Sequence, residues 1–171
     1  DDPRIPVLQE LNVPLVAFGN TTSHTHPYVD VDNATGLYTA VQHLLEQGHK
    51  RIAALAWPAD SRVGEQRLAG YSYAMQEAGI PIHPEWIVRG NSEPEFGYAG
   101  CSQLLNLPAN IRPTAIVTML DLIAIGAVQA AEARNLQVGR DLAIVGFDNM
   151  PVTEYFKPSL TTVRQPIWEV G

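Results

Sequence analysis

The chain has 171 residues, 46% of them hydrophobic, with a net charge of −7 and 11 Lys and Arg scattered without a basic run. That is enough for one substantial core, or one core plus part of another, and it argues against this piece gripping a nucleic-acid backbone, which needs clustered cations. The lone Cys101 excludes an internal disulfide and fits a reducing, cytoplasmic setting, and no run reaches the ~18 apolar residues of a membrane span.

Taken in order, Ile5, Leu8 and Leu11 fall at helical spacing and Asn12 ends that helix. Pro14 to Phe18 reads as a strand closed by Gly19-Asn20, and residues 20–28 as a polar loop. Val29-Asp30-Val31 alternates like a short strand. Asp32-Asn33 is a helix N-cap signal, because a short side-chain acceptor satisfies free N–H groups. Leu37, Val41, Leu44 and Leu45 make the apolar stripe of that helix, and Gly48 supplies its left-handed end.

Strand and helix then alternate. Strands are expected at Ile52 to Trp57, Trp86 to Val88, Thr114 to Met119 and Leu142 to Val145, and helices at Val63 to Ala78, Pro94 to Leu107 and Asp121 to Asn135. Short apolar strands joined by helices are the pattern of an α/β fold with a parallel, doubly wound sheet. Beyond Leu142 the chain reads LAIVGFDNMPVTEYFKPSLTTVRQP, so Asp148 and Asn149 sit just past a buried strand. A second β-rich piece, Leu160 to Val163, runs into Arg164-Gln165-Pro166, and Pro166 suits the first turn of a further helix. The sequence reads as cut inside that element.

No Gly-x-Gly-x-x-Gly follows a strand and there is no Walker loop, so no phosphate-bearing cofactor is expected. Nothing resembles Gly-x-Ser-x-Gly, and no constellation argues for an enzyme. His24 and His26 with Asp30 and Asp32 invite a metal-site reading, against which stands an ordinary solvated loop. Cys101 lies in a predicted helix with no His near it in sequence, as a structural thiol would.

The polar groups fall in a pattern. Asn20, Ser61, Ser92, Asp121 and Asp148 each follow the end of a predicted strand, and in a parallel sheet those ends share one rim. Arg67 lies one turn into the helix after the second strand, placed to reach back over it. Forked donors and carboxylates beside aromatics such as Trp57 and Phe147 suit a ligand rich in hydroxyls. The competing reading is that Arg67 and Asp121 or Asp148 form a structural ion pair and the others are caps.

The helix from Asp121 carries apolar residues on more of its circumference than one sheet face covers, including Ile125 and Val128. Tyr155 and Phe156 add two aromatics in a loop. Together they are expected to form a patch that pairs with a second copy of the chain.

These motifs in their order resemble the effector domains of the LacI/GalR repressors. The resemblance rests on Asp32-Asn33 with Gly36, HLLEQGHKRIA from His43, Arg67-Leu68-Ala69-Gly70-Tyr71, Arg112-Pro113-Thr114-Ala115-Ile116, Ala124-Ile125-Gly126-Ala127 and VGFDNMPVTEYFKPSLTTVRQP from Val145. It covers about Pro14 to the end. It implies two Rossmann-like subdomains of the periplasmic-binding-protein type hinged by crossover strands. Residues 1–31 would end the N-terminal subdomain, 32–162 would form the C-terminal one, and 163–171 would cross back. The DNA-binding head would lie in a segment outside this chain.

By the same resemblance, Arg67 matches the arginine that hydrogen-bonds the effector, Asp148 the acidic residue after the last strand, and Gln165 a crossover position facing the cleft. Ser92 stands where many members carry a stacking aromatic, and Leu120 where an Asn is usual. Trp57-Pro58 stands where small residues are common, so Trp57 is expected to take over stacking on the ligand. The implied effector is a mono- or oligosaccharide bound between subdomains, and the implied assembly is a homodimer that binds operator DNA. A periplasmic sugar-binding protein of a transport or chemotaxis system shares the fold and is the alternative. The residues preceding position 1 would decide between them.

Overall fold

Parallel pairing of short strands, apolar at the centre of the sheet, builds the main body of the fold. The computed structural model describes residues 3–19 and 26–170, and the chain divides into two units, Asp1–Asp32 with Pro166–Gly171, and Asn33–Gln165. In the first unit α1 (Arg4–Glu10) precedes two strands of two residues each, β1 (Ala17–Phe18) and β2 (Tyr28–Val29), paired in parallel, and α6 (Ile167–Val170) lies near the chain's end. The expected strand over 14–18 is therefore mostly irregular.

The second unit holds β3 (Ile52–Ala56), β4 (Ile87–Arg89), β5 (Ala115–Thr118), β6 (Ala143–Asp148) and β7 (Thr161–Arg164), all parallel in the order β4-β3-β5-β6-β7. Every residue of β3 and β5 is buried, as expected of strands covered on both faces. The helices α2 (Asn33–Glu46) and α3 (Arg62–Glu77) pack together, as do α4 (Pro94–Leu105) and α5 (Asp121–Glu132). The expected α/β fold with a doubly wound parallel sheet is what the chain forms.

Most boundaries shift by one to three residues, and two of the shifts bear on the packing. Trp86 ends a 3-10 turn (Pro84–Trp86) instead of opening β4, because its backbone N–H closes that turn on the His83 carbonyl at 2.9 Å, while its indole nitrogen donates to the carbonyl of Ile111 at 2.7 Å. Strand β6 runs on through Gly146 to Asp148. A side chain at Gly146 would place its Cβ 2.1 Å from Asp121 Oδ1, so that glycine is where α5 closes on the sheet.

The helix pairs approach backbone to backbone. A Cβ on Gly70 would lie 2.0 Å from the Ala34 carbonyl oxygen, and one on Gly126 would lie 1.8 Å from that of Pro94. This closeness corrects one expectation. The small and apolar residues of α5 are covered within the unit by the sheet and by α4: Ala124, Ala127, Ala130 and Ala131 are fully buried. Val128 is 6% exposed and so belongs to the core, not to an open patch. Ile125 is half-buried, Phe156 packs against the core, and only Tyr155, in the turn Pro151–Tyr155, stands out at 82% exposure.

Candidate functional site

The sheet changes direction of winding between β3 and β5. From β3 the chain moves outward to β4, then crosses back over β3 to β5 and continues to β6. The loops at the carboxyl ends of β3 and β5 leave on opposite faces there and open a crevice, the usual ligand position in such sheets.

Arg67 fills that crevice. It sits in the second turn of α3, whose start is fixed by Ser61, the N-cap that accepts from the Gly64 N–H at 3.2 Å. The Arg67 side chain is almost wholly buried, its Nε donates to Asn33 Oδ1 at 2.9 Å, and Nη1 donates to the carbonyl of Met119 just past β5. The same nitrogen stands 3.8 Å from Asp148 Oδ1. Two rings line the guanidinium: its carbon is 3.7 Å from the centre of the Phe147 ring and 5.1 Å from that of Trp57. Phe147 reaches this place because Gly36 has no side chain; a Cβ there would lie 2.7 Å from the ring.

Asp148 closes the arrangement from β6. Its carboxylate accepts from the Gln165 amide nitrogen, and its backbone has φ of 113°, a region that L-residues seldom occupy. Burial raises its pKa above the ordinary carboxylate value, and the Gln165 bond and the Arg67 charge only partly offset that.

The conformation at 148 is held from below by Asp121. This residue opens α5, is fully buried, and accepts from the Thr162 hydroxyl at 2.6 Å and from the Met150 N–H at 2.7 Å. Thr162 in turn accepts from the Asn149 N–H at 3.2 Å. Burial raises the Asp121 pKa, the Asp148 charge adds to the rise, and the Thr162 and Met150 bonds oppose it. Its carboxylate is thus bonded within the fold, which makes it a brace behind the site.

The structure therefore brings Arg67, Asp148, Gln165 and Trp57 together. Asp121 stands behind them, and Ser61 serves as a cap. Ser92 is exposed beyond β4, and Asn20 and His24 lie outside the described residues. Sequence reasoning missed the parts that hold Arg67. Asn33 looked like a cap but grips the guanidinium, and the Met119 carbonyl is a backbone group that no side-chain pattern announces.

Residues 41–171 match the periplasmic binding protein-like domain. The chain belongs to that family. It takes the form found in LacI-family regulators. It is 42% identical over 145 residues to the HTH-type transcriptional repressor CytR of Escherichia coli K12, an alignment covering 85% of this chain and 42% of that protein. A regulatory protein of the LacI family from Chloroflexus aggregans superposes with a TM-score of 0.91 at 48% identity, over 99% of this chain and 60% of the other. The cellobiose complex of the transcriptional regulator CelR superposes at 0.83 with 34% identity, covering 97% of this chain and 51% of that one. The chain thus spans under half the length of its curated relative. These relatives are transcriptional regulators, not enzymes. Among the described residues, no helix is long and apolar enough to cross a membrane.

Proposed function

We propose that this chain is the effector-sensing part of a cytoplasmic DNA-binding repressor, and that it binds a small sugar at the carboxyl edge of its five-stranded sheet. The observation that carries this reading is the buried Arg67, held against Asp148 and two aromatic rings at the point where the sheet reverses its winding. A forked cation and a carboxylate offer donors and acceptors to adjacent hydroxyls, and the two rings hold the cation in place. The likeness to a regulator solved with cellobiose supports a saccharide. Binding alters operator affinity by favouring one of two arrangements of the regulator, the general basis of effector coupling.

The test is calorimetry on the complete protein. Arg67→Ala loses about 2–4 kcal/mol of sugar binding, the scale of a buried charge-assisted contact. Unchanged affinity would remove Arg67 from the site.

The repressor also works as a homodimer in this reading, since a palindromic operator calls for two symmetric heads. The exposed Tyr155, with Ile125 and Phe156 near the surface, supplies apolar contact area, and Val128 supports the surface from within. Tyr155→Glu in the complete protein then yields monomers by sedimentation. A dimer that survives it places the two-fold elsewhere.

A further inference from the structure

Trp57 directly follows β3, and its side chain is half-buried. Its indole nitrogen is sealed from solvent yet has no acceptor among the described residues. A buried N–H stripped of water and given nothing in return is uncommon in native proteins and asks for an explanation.

The neighbouring acceptors are already engaged. Asn33 Oδ1 and the Met119 carbonyl accept from Arg67, Asp148 accepts from Gln165, and the Trp57 carbonyl itself accepts from Arg89 at 2.9 Å. The root of the side chain is also wedged, because a Cβ on Gly64 would come 2.9 Å from Trp57 Cβ. The guanidinium of Arg67 lies over the ring, 5.1 Å from its centre, so that face is taken by a cation and not offered to a ligand.

We propose that Trp57 reads the effector through its indole N–H, which donates to an oxygen of an uncharged polyhydroxyl ligand, and not by lending a ring face. This inference rests on the sugar reading above. A hydroxyl suits that place, since it accepts from Trp57 and keeps its own proton to donate to another acceptor. An anionic ligand fits poorly. Asp121 and Asp148 already stand close enough for the charge of one to disfavour ionisation of the other, and a further negative charge beside them would add to that repulsion.

The experiment uses the complete protein and two replacements that keep an aromatic ring. Trp57→Phe drops the donor, and substitution of Trp57 by benzothienylalanine keeps the bicyclic shape with sulfur in place of N–H. Cellobiose, D-glucose and D-ribose are titrated calorimetrically, and the ligand-free proteins are melted. Both variants are expected to bind whichever sugar the parent binds about fivefold more weakly, the scale of one lost hydrogen bond. The ligand-free benzothienyl variant is expected to melt no lower than the parent, because it loses no satisfied bond. A lower melting temperature would mean that the indole already has a partner within the protein, and the inference would fall. Equal affinity of parent and benzothienyl variant would overturn it while leaving the sugar reading intact. If the parent binds none of the three sugars, the sugar reading fails and takes this inference with it.

Discussion

Asp121 and Asp148 stand at the carboxyl ends of adjacent strands, and burial lifts both carboxyls above their ordinary range. Their surroundings differ. Asp121 spends its oxygens on Thr162 and the Met150 N–H, both supplied by its own fold. Asp148 has a side-chain amide on one oxygen, a guanidinium 3.8 Å away, and a backbone angle that few aspartates adopt. The first carboxylate is saturated and fixes a corner, while the second is held ready at the edge of a crevice. A buried carboxylate at a strand end is therefore not by itself a ligand contact; what matters is whether the fold has already used its lone pairs.

The sharpest way to break that contrast is to remove each group in turn. Asp121→Ala leaves the Met150 N–H and the Thr162 hydroxyl without their acceptor in a buried place. It is expected to cost about 3 kcal/mol of unfolding free energy in urea titration, the range for breaking a buried, hydrogen-bonded charge. Asp148→Asn keeps shape and one acceptor oxygen, so its stability should stay within about 1 kcal/mol of the parent. Its sugar affinity, read by calorimetry on the complete protein, should fall about tenfold as a charge-assisted contact becomes a neutral one. If the Asp148 variant is the less stable of the two, the distinction between brace and contact collapses.

A smaller effect sharpens the same contrast through pH. The folded pKa of Asp148 lies above the ordinary 3.8. The stability this shift contributes is fully present below 3.8 and is lost as pH rises through the folded value. Sugar affinity has the opposite slope, because the protonated carboxyl loses its charge as an acceptor. Affinity should decline as pH drops through the raised pKa, and Asp148→Asn should abolish that decline. A titration with the same slope in parent and variant would assign the effect to another group.

Much of this was legible in the sequence. Alternating apolar strands and helices are local signals, and Gly48, at positive φ, closes α2 where the sequence suggested; Gly79, also at positive φ, does the same just past α3. The rim was legible too, since strand ends in a parallel sheet must point the same way. Three things were not. Asn33 satisfies the pattern of a cap, and only the packing of α2 against α3 reveals that its side chain meets Arg67. Val128 lies on an apolar face that a helical projection leaves open, because the projection does not contain the sheet or the loop beyond β6. Asp121 and Asp148 look alike in one dimension, and the donors that separate them come from residues 150, 162 and 165.

The contact between Gly70 and Ala34 carries a last consequence. Gly70 is three residues beyond Arg67 on the same helix, and its missing side chain lets α3 lie directly on the main chain of α2. One methyl group there would push α3, and with it the guanidinium, away from α2, since 2.0 Å is far inside van der Waals contact with a backbone oxygen. In the function proposed above, sugar affinity would then be set from a position outside the site itself. On that reading the sensitivity of the site can be retuned while every residue that lines it stays the same.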